Sequence, residues 1–132
     1  MVALKAIVLS IVGAGLILAA IVTGLATREF LGRAARAPGV VSRLNAGGSH
    51  PEIEFALPSG QTISYPQGGF IFGYKPGQRV QVLYASEDPA RTARVDAFGA
   101  LWFVPLLLAV LGLALATAGV PGVRSAFRAG RF

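Results

Sequence analysis

Two long stretches without a single charged side chain dominate the sequence: residues 6–27 hold 22 such positions and residues 97–123 hold 27. A bilayer core is crossed by about 20 apolar residues in a helix, so each stretch is long enough to span it. Only 14% of the chain is charged, against roughly 25% in an average soluble domain. An ordinary soluble enzyme and a disordered chain are both excluded by this pattern. The chain has no cysteine, which removes disulfides, thiolate catalysis, cysteine-based zinc or iron–sulfur sites and a lipoprotein anchor.

The runs divide the chain into a tail (1–5), a first transmembrane helix (6–27), a basic juxtamembrane segment (28–36), a middle domain (37–96), a second transmembrane helix (97–123) and a basic tail (124–132). Lys5 and Arg28 bracket the first span and can send their charged ends to the two interfaces. Phe98, Trp102 and Phe103 open the second run, where aromatic rings favour an interface. Pro105 is expected to kink that helix or end a first interfacial turn, and Pro121-Gly122 to stop it before Arg124. The rival reading of the first run is a cleaved secretory signal. A signal core is usually about 7–15 residues, however, so a retained span is expected.

Small residues recur within the spans at the small-xxx-small spacing that lets helix backbones approach: Gly15 with Ala19, Ala20 with Gly24, and Gly112 with Ala116. The spacing suits a hairpin of the chain's own helices, and equally a seam for a second copy or another membrane protein. The hairpin is the simpler expectation. Neither run contains an acidic, basic or histidine residue, which argues against a transporter or channel.

The middle domain changes character. Short alternating runs are separated by Gly, Pro, Asn and Ser clusters, a strand-and-turn signature. Strands are expected over 39–44, 52–57, 61–65, 70–74 and 79–84. Ile53 and Phe55 should share a face opposite Glu52 and Glu54, and Lys75-Pro76-Gly77-Gln78 has Pro and Gly where a type II turn needs them. The expected fold class is therefore membrane α+β: two transmembrane helices flanking a small antiparallel β domain, an SH3-like or OB-like barrel or rolled sheet.

Several segments follow a shared pattern: Gly39-Val40-Val41, then Pro51-Glu52-Ile53-Glu54-Phe55, then Gly60-Gln61-Thr62-Ile63. Gly77-Gln78-Arg79-Val80-Gln81-Val82-Leu83-Tyr84 and Glu87-Asp88-Pro89 come next, before the second helix. In this the chain resembles the bacterial two-span membrane proteins grouped as domain of unknown function 3592. The resemblance covers essentially the whole chain. It implies the architecture and a bacterial inner membrane location, and no activity.

Catalytic residues, a cofactor and a metal site are not expected. His50 is the single histidine, and Glu52 and Glu54 beside it supply too few ligands for a structural site, which wants four. Ser49 and His50 are sequence neighbours, whereas a hydrolytic Ser and His meet across a fold. The Gly47-Gly48 and Gly68-Gly69 pairs lack the residues of a phosphate loop. The net charge of +6 clusters beside the spans at Arg28, Arg33, Arg36, Arg124, Arg128 and Arg131. Anionic lipid headgroups explain that placement better than nucleic acid does. The flanking Lys/Arg count leans toward a cytoplasmic middle domain. The leading expectation is a non-enzymatic accessory subunit or scaffold that binds a partner in a membrane complex. The alternatives are an immunity- or stress-type membrane protein that neutralises a toxic partner, and an enzyme whose residues escape recognition.

Overall fold

The computed structural model describes residues 2–46 and 49–130. In chain order the elements are α1 (Val2–Arg33), β1 (Ala35–Ala46), β2 (Ser49–Ala56), β3 (Thr62–Pro66), β4 (Arg79–Tyr84), α2 (Pro89–Thr92), β5 (Arg94–Val95), α3 (Phe98–Leu101) and α4 (Phe103–Arg128). They fall into two compact units, one formed by Met1–Leu25 with Val104–Phe132 and the other by Ala26–Phe103.

The first unit is an antiparallel helix pair held by a seam of small residues. The contacts step down one helix as they step up the other: Ala6 meets Gly122, Ser10 meets Gly119, Gly13 meets Ala116, Ile17 meets Gly112, and Gly24 lies near Pro105. A Cβ on Gly13 would sit 2.8 Å from both Ala116 Cα and Gly112 O, and one on Gly112 would sit 2.8 Å from Ile17 Cγ1. The buried positions of α4 are Pro105, Gly112, Gly119 and Ala126, a strict seven-residue repeat. A seam on a 3.5-residue period keeps facing its partner when two helices wind left-handed around each other. Gly112 and Ala116 thus lie in the seam and Ala20 is buried. Gly15 does not: nothing stands within 4 Å of where its Cβ would be, and Gly13 occupies the contact.

α1 outruns the length expected from sequence, whereas the expected second span of 97–123 is shifted: residues 98–101 form the separate α3, and α4 runs from Phe103 to Arg128. α1 continues through Arg28 to Arg33, so most of the juxtamembrane segment is helical. Pro105 falls in the first turn of α4, where the missing N–H has no helical acceptor to lose. Pro121 does not stop α4, which runs on to Arg128. An interior proline costs a helix about 3 kcal/mol. On either side of it Gly119 and Gly122 pack closely on Ser10 and Ala6 of α1, contacts that the continued helix keeps.

The second unit is a curled antiparallel sheet of order β3-β2-β1-β4-β5. β1, the longest strand, pairs on both sides, Gly39 with Phe55 of β2 and with Val80 of β4. A register shift between Val41 and Arg43 bends it, which lets one strand serve both halves of the curl. Alternation places Val41, Ile53, Phe55, Ile63, Tyr65 and Val82 in a common core. The Phe55 ring sits edge-on to Tyr65 at 6.0 Å and tilted against Tyr84 at 5.5 Å. The expected turn at 75–78 forms: Gln78 N–H donates to Lys75 C=O at 3.0 Å, and Gly77 adopts φ +84°. The expected strand at 70–74 does not form. Positive φ at Gly69 and Gly73 takes the chain out of extended geometry on both sides of Phe70-Ile71-Phe72.

The two sheet edges are joined through a side chain. Gln67, only 5% exposed, follows β3. Its Oε1 accepts from the Val95 N–H at 2.8 Å and from the Tyr65 O–H at 3.1 Å, while Nε2 donates to Gly68 C=O at 2.9 Å. Burial pushes the Tyr65 hydroxyl up from its ordinary pKa, so it stays a donor. On the outer face Glu52 accepts from Ser64 Oγ at 2.6 Å and Asn45 Nδ2 at 3.1 Å. Those two donors hold its carboxyl below the ordinary 4.5.

Three outcomes are expected. Gly112→Leu should lower the stability of the helix pair in mild detergent by about 1–3 kcal/mol through overpacking, while Gly15→Leu should leave it within about 0.5 kcal/mol; thermal unfolding followed by circular dichroism reads both. Gln67→Leu strands a buried N–H and O–H and should cost the β domain about 1–3 kcal/mol, seen as an earlier loss of near-ultraviolet aromatic signal. Because the folded Glu52 ionises below its unfolded value, its stabilisation is present at neutral pH and is lost as pH falls below about 4.5. Glu52→Gln should therefore flatten the acid limb of a stability–pH profile, without abolishing it.

Candidate functional site

The last turns of α1, from Ala26 on, belong to the second unit and pack within it on apolar side chains. Phe30 (6% exposed), Leu83, Ala85 and Leu101 form a second buried cluster, with Leu31, Ala34 and Trp102 against it. Leu83, opposite in the strand to Val82 and Tyr84, therefore takes the outer face of β4 out of water. The Arg94 guanidinium lies 4.8 Å from the centre of the Phe30 ring, a cation–π contact.

Polar pairs surround this cluster. Arg33 Nη1 donates to Glu87 Oε1 at 2.6 Å, and Arg36 Nη1 donates to Asp96 Oδ2 at 2.9 Å. Both pairs are exposed, so each contributes roughly 0–1 kcal/mol. Glu87 ionises below the ordinary range, first through its own backbone N–H and then through Arg33. Two of the arginines expected at lipid headgroups are thus engaged with carboxylates of the β domain. Arg28, Arg124 and Arg128 are exposed, and Arg131 lies outside the described residues. All six acidic residues lie within Ala26–Phe103, beside eight basic ones. The β domain is close to neutral, and the chain's basic excess belongs mainly to the helix ends.

Among the described residues no group of three or more His, Cys, Asp and Glu is gathered to hold a metal. His50 is exposed on a positive φ of 55° beside the β1–β2 connection. Glu54 is exposed, and Glu52 is committed to Ser64 and Asn45, so the two carboxylates do not converge on a cleft. A depression of about 230 Å³ between Leu57, Pro58, Ser59, Tyr84, Ser86 and Pro89 has no carboxylate or imidazole in its wall.

What sequence reasoning missed is an aromatic surface. Phe70 and Phe72 are 63% and 65% exposed, with their rings in edge contact at 4.8 Å. Phe70 also stacks on Phe103 at 6.0 Å and an 11° tilt. The loop is fixed, because Phe70 N–H donates to Gly99 C=O at 3.1 Å and Ile71 between the two rings is buried. Any side chain on Gly99 would collide with the Phe70 carbonyl. The glycines that bracket Phe-Ile-Phe were the available signal: they break a strand and leave its apolar residues without a sheet to cover them.

No family model matches the chain, and no solved structure matches it. The likeness to domain of unknown function 3592 stays an expectation drawn from its motifs. Among curated proteins the chain is 48% identical over 120 residues to "Immune protein Tsi4" of Pseudomonas aeruginosa, a match covering 91% of this chain and 83% of that protein. Identity at that level over nearly the full length of both chains spans the helices and the sheet together. The chain belongs to the family of immune protein Tsi4.

Proposed function

We propose that this chain is an immunity-type membrane protein that binds and neutralises a toxic partner. The observation that carries the reading is the 48% identity to a protein named for immunity. An accessory-subunit role, the leading expectation from sequence, draws no comparable support.

The membrane part of the proposal rests on the helices. α1 and α4 are long and apolar enough to cross a bilayer, and only 17% of the apolar window of each is buried within the protein. A core helix of a soluble protein would be mostly buried. Large apolar side chains such as Ile11, Leu18 and Leu25 on α1, and Val110 and Leu113 on α4, are exposed. Lipid is the solvent that removes their cost. In this reading the bacterial inner membrane holds the helix pair, with the β domain on the cytoplasmic side by the count of flanking Lys and Arg. The exposed Arg28, Arg124 and Arg128 meet anionic headgroups. Neutralisation is then stoichiometric: the chain acts by occupying its partner and needs no reacting group.

Co-expression tests this. A host that stops growing when it makes a toxin encoded beside this gene should grow again when the chain is supplied. The tagged chain should also retain that toxin through purification in mild detergent. Growth arrest that persists with the chain present at normal level in the membrane fraction would sink the proposal. Stoichiometric recovery of an endogenous membrane complex without any toxin would return the accessory-subunit reading to the front.

A further inference from the structure

The Phe70–Phe72 surface is apolar and turned outward, and its place beside the start of α4 points beyond the partner-binding reading. Phe70, Phe72 and the 70%-exposed Phe98 each leave apolar area in contact with water, against about 1.5–3 kcal/mol for burying such a side chain. Here the hydrogen bond to Gly99, the close approach of Gly69 to Gly99 and the buried Ile71 hold them out. A fixed cluster of exposed aromatics marks a contact surface.

Its position in the chain identifies the occupant. Phe103 is the first residue of α4, and the Phe70 ring stacks on it at 6.0 Å. This step rests on the proposal that α4 crosses the membrane. The first residue of a span lies at the edge of the hydrocarbon, and the headgroup zone beyond is about 5–8 Å deep on each side. A ring stacked on Phe103 falls inside that zone. The chemistry agrees: residues 66–74 carry no charge, the exposed Lys75 follows immediately, and Trp102 adjoins Phe103. Aromatic rings settle at the interface, and a lysine at its edge reaches anionic headgroups.

We propose that Phe70 and Phe72 form an interfacial wedge, inserted at the boundary between headgroups and acyl chains of the leaflet where α4 begins. The wedge ties the β domain to the bilayer surface by a third point besides its two covalent helix connections, with Lys75 on anionic phosphate.

The native chain lacks cysteine, so single-site labelling is clean. An environment-sensitive fluorophore is placed in turn at Phe72→Cys, at Ser59→Cys in the exposed β2–β3 turn, and at the exposed Leu113→Cys of α4. The full-length chain is reconstituted in phosphatidylethanolamine–phosphatidylglycerol vesicles carrying nitroxide lipids, labelled either near the glycerol or near the chain end. The expected result is strong quenching at position 72 by the shallow nitroxide and weak quenching by the deep one. Position 113 should show the reverse, and position 59 neither. A probe at position 72 that matches position 59 while position 113 is quenched by the deep label overturns the wedge and leaves the span intact; the patch is then a protein contact. Failure of quenching at position 113 overturns the membrane reading and the wedge with it.

Discussion

The structure of the second unit depends on β4 being buried on both faces. Val82 and Tyr84 enter the sheet core, and Leu83, 1% exposed, enters the cluster with Phe30 and Leu101. A strand covered on both sides needs apolar residues at successive positions, and Val82-Leu83-Tyr84-Ala85 supplies four buried in a row. Through this strand the last turns of α1, the short helix α3 and the curled sheet share one packing problem. Arg33, Arg36 and Arg94 then close the rim with contacts to Glu87, Asp96 and Phe30. Individually these surface contacts are weak. Their geometry follows from the apolar cluster beneath them.

The helix pair solves a different problem. In water the apolar exterior of α1 and α4 would be a liability, and in lipid it gives no drive for the helices to associate. Close backbone approach supplies the attraction, which is why glycine at residues 13, 112 and 119 matters more than any large side chain there. The same logic accounts for the absence of charge along the seam: its chemistry is close contact, suited to holding a helix pair together.

Much of this was legible. Strand Arg79–Tyr84, the inward pair Ile53 and Phe55, and the Lys75–Gln78 turn follow from local patterns that the sheet reinforces. The rest was set by distant partners. Gln67 looks like a loop glutamine, and its acceptor role depends on Val95, a strand residue 28 positions on. Pro121 reads as a helix stop, whereas α4 runs on past it with Gly119 and Gly122 packed closely on α1. Small-residue spacing pointed to Gly15, while the seam runs through Gly13 two positions earlier, because spacing marks periodicity without fixing which face meets the partner. The immunity reading was present as one alternative among others. No residue pattern could raise it, since neutralising a partner by occupancy leaves no catalytic signature.

The seven-residue repeat of the seam has a mechanical consequence. Buried residues recurring at 105, 112, 119 and 126 place similar positions one heptad, or about 10.5 Å, apart along the axis. Short connections oppose a slide from one to the next. α1 passes into β1 across Ala34 alone, and α3 passes into α4 across Trp102 alone. A slide of about 10.5 Å exceeds the roughly 3.5 Å that one extended residue spans, so such short connections disfavour it.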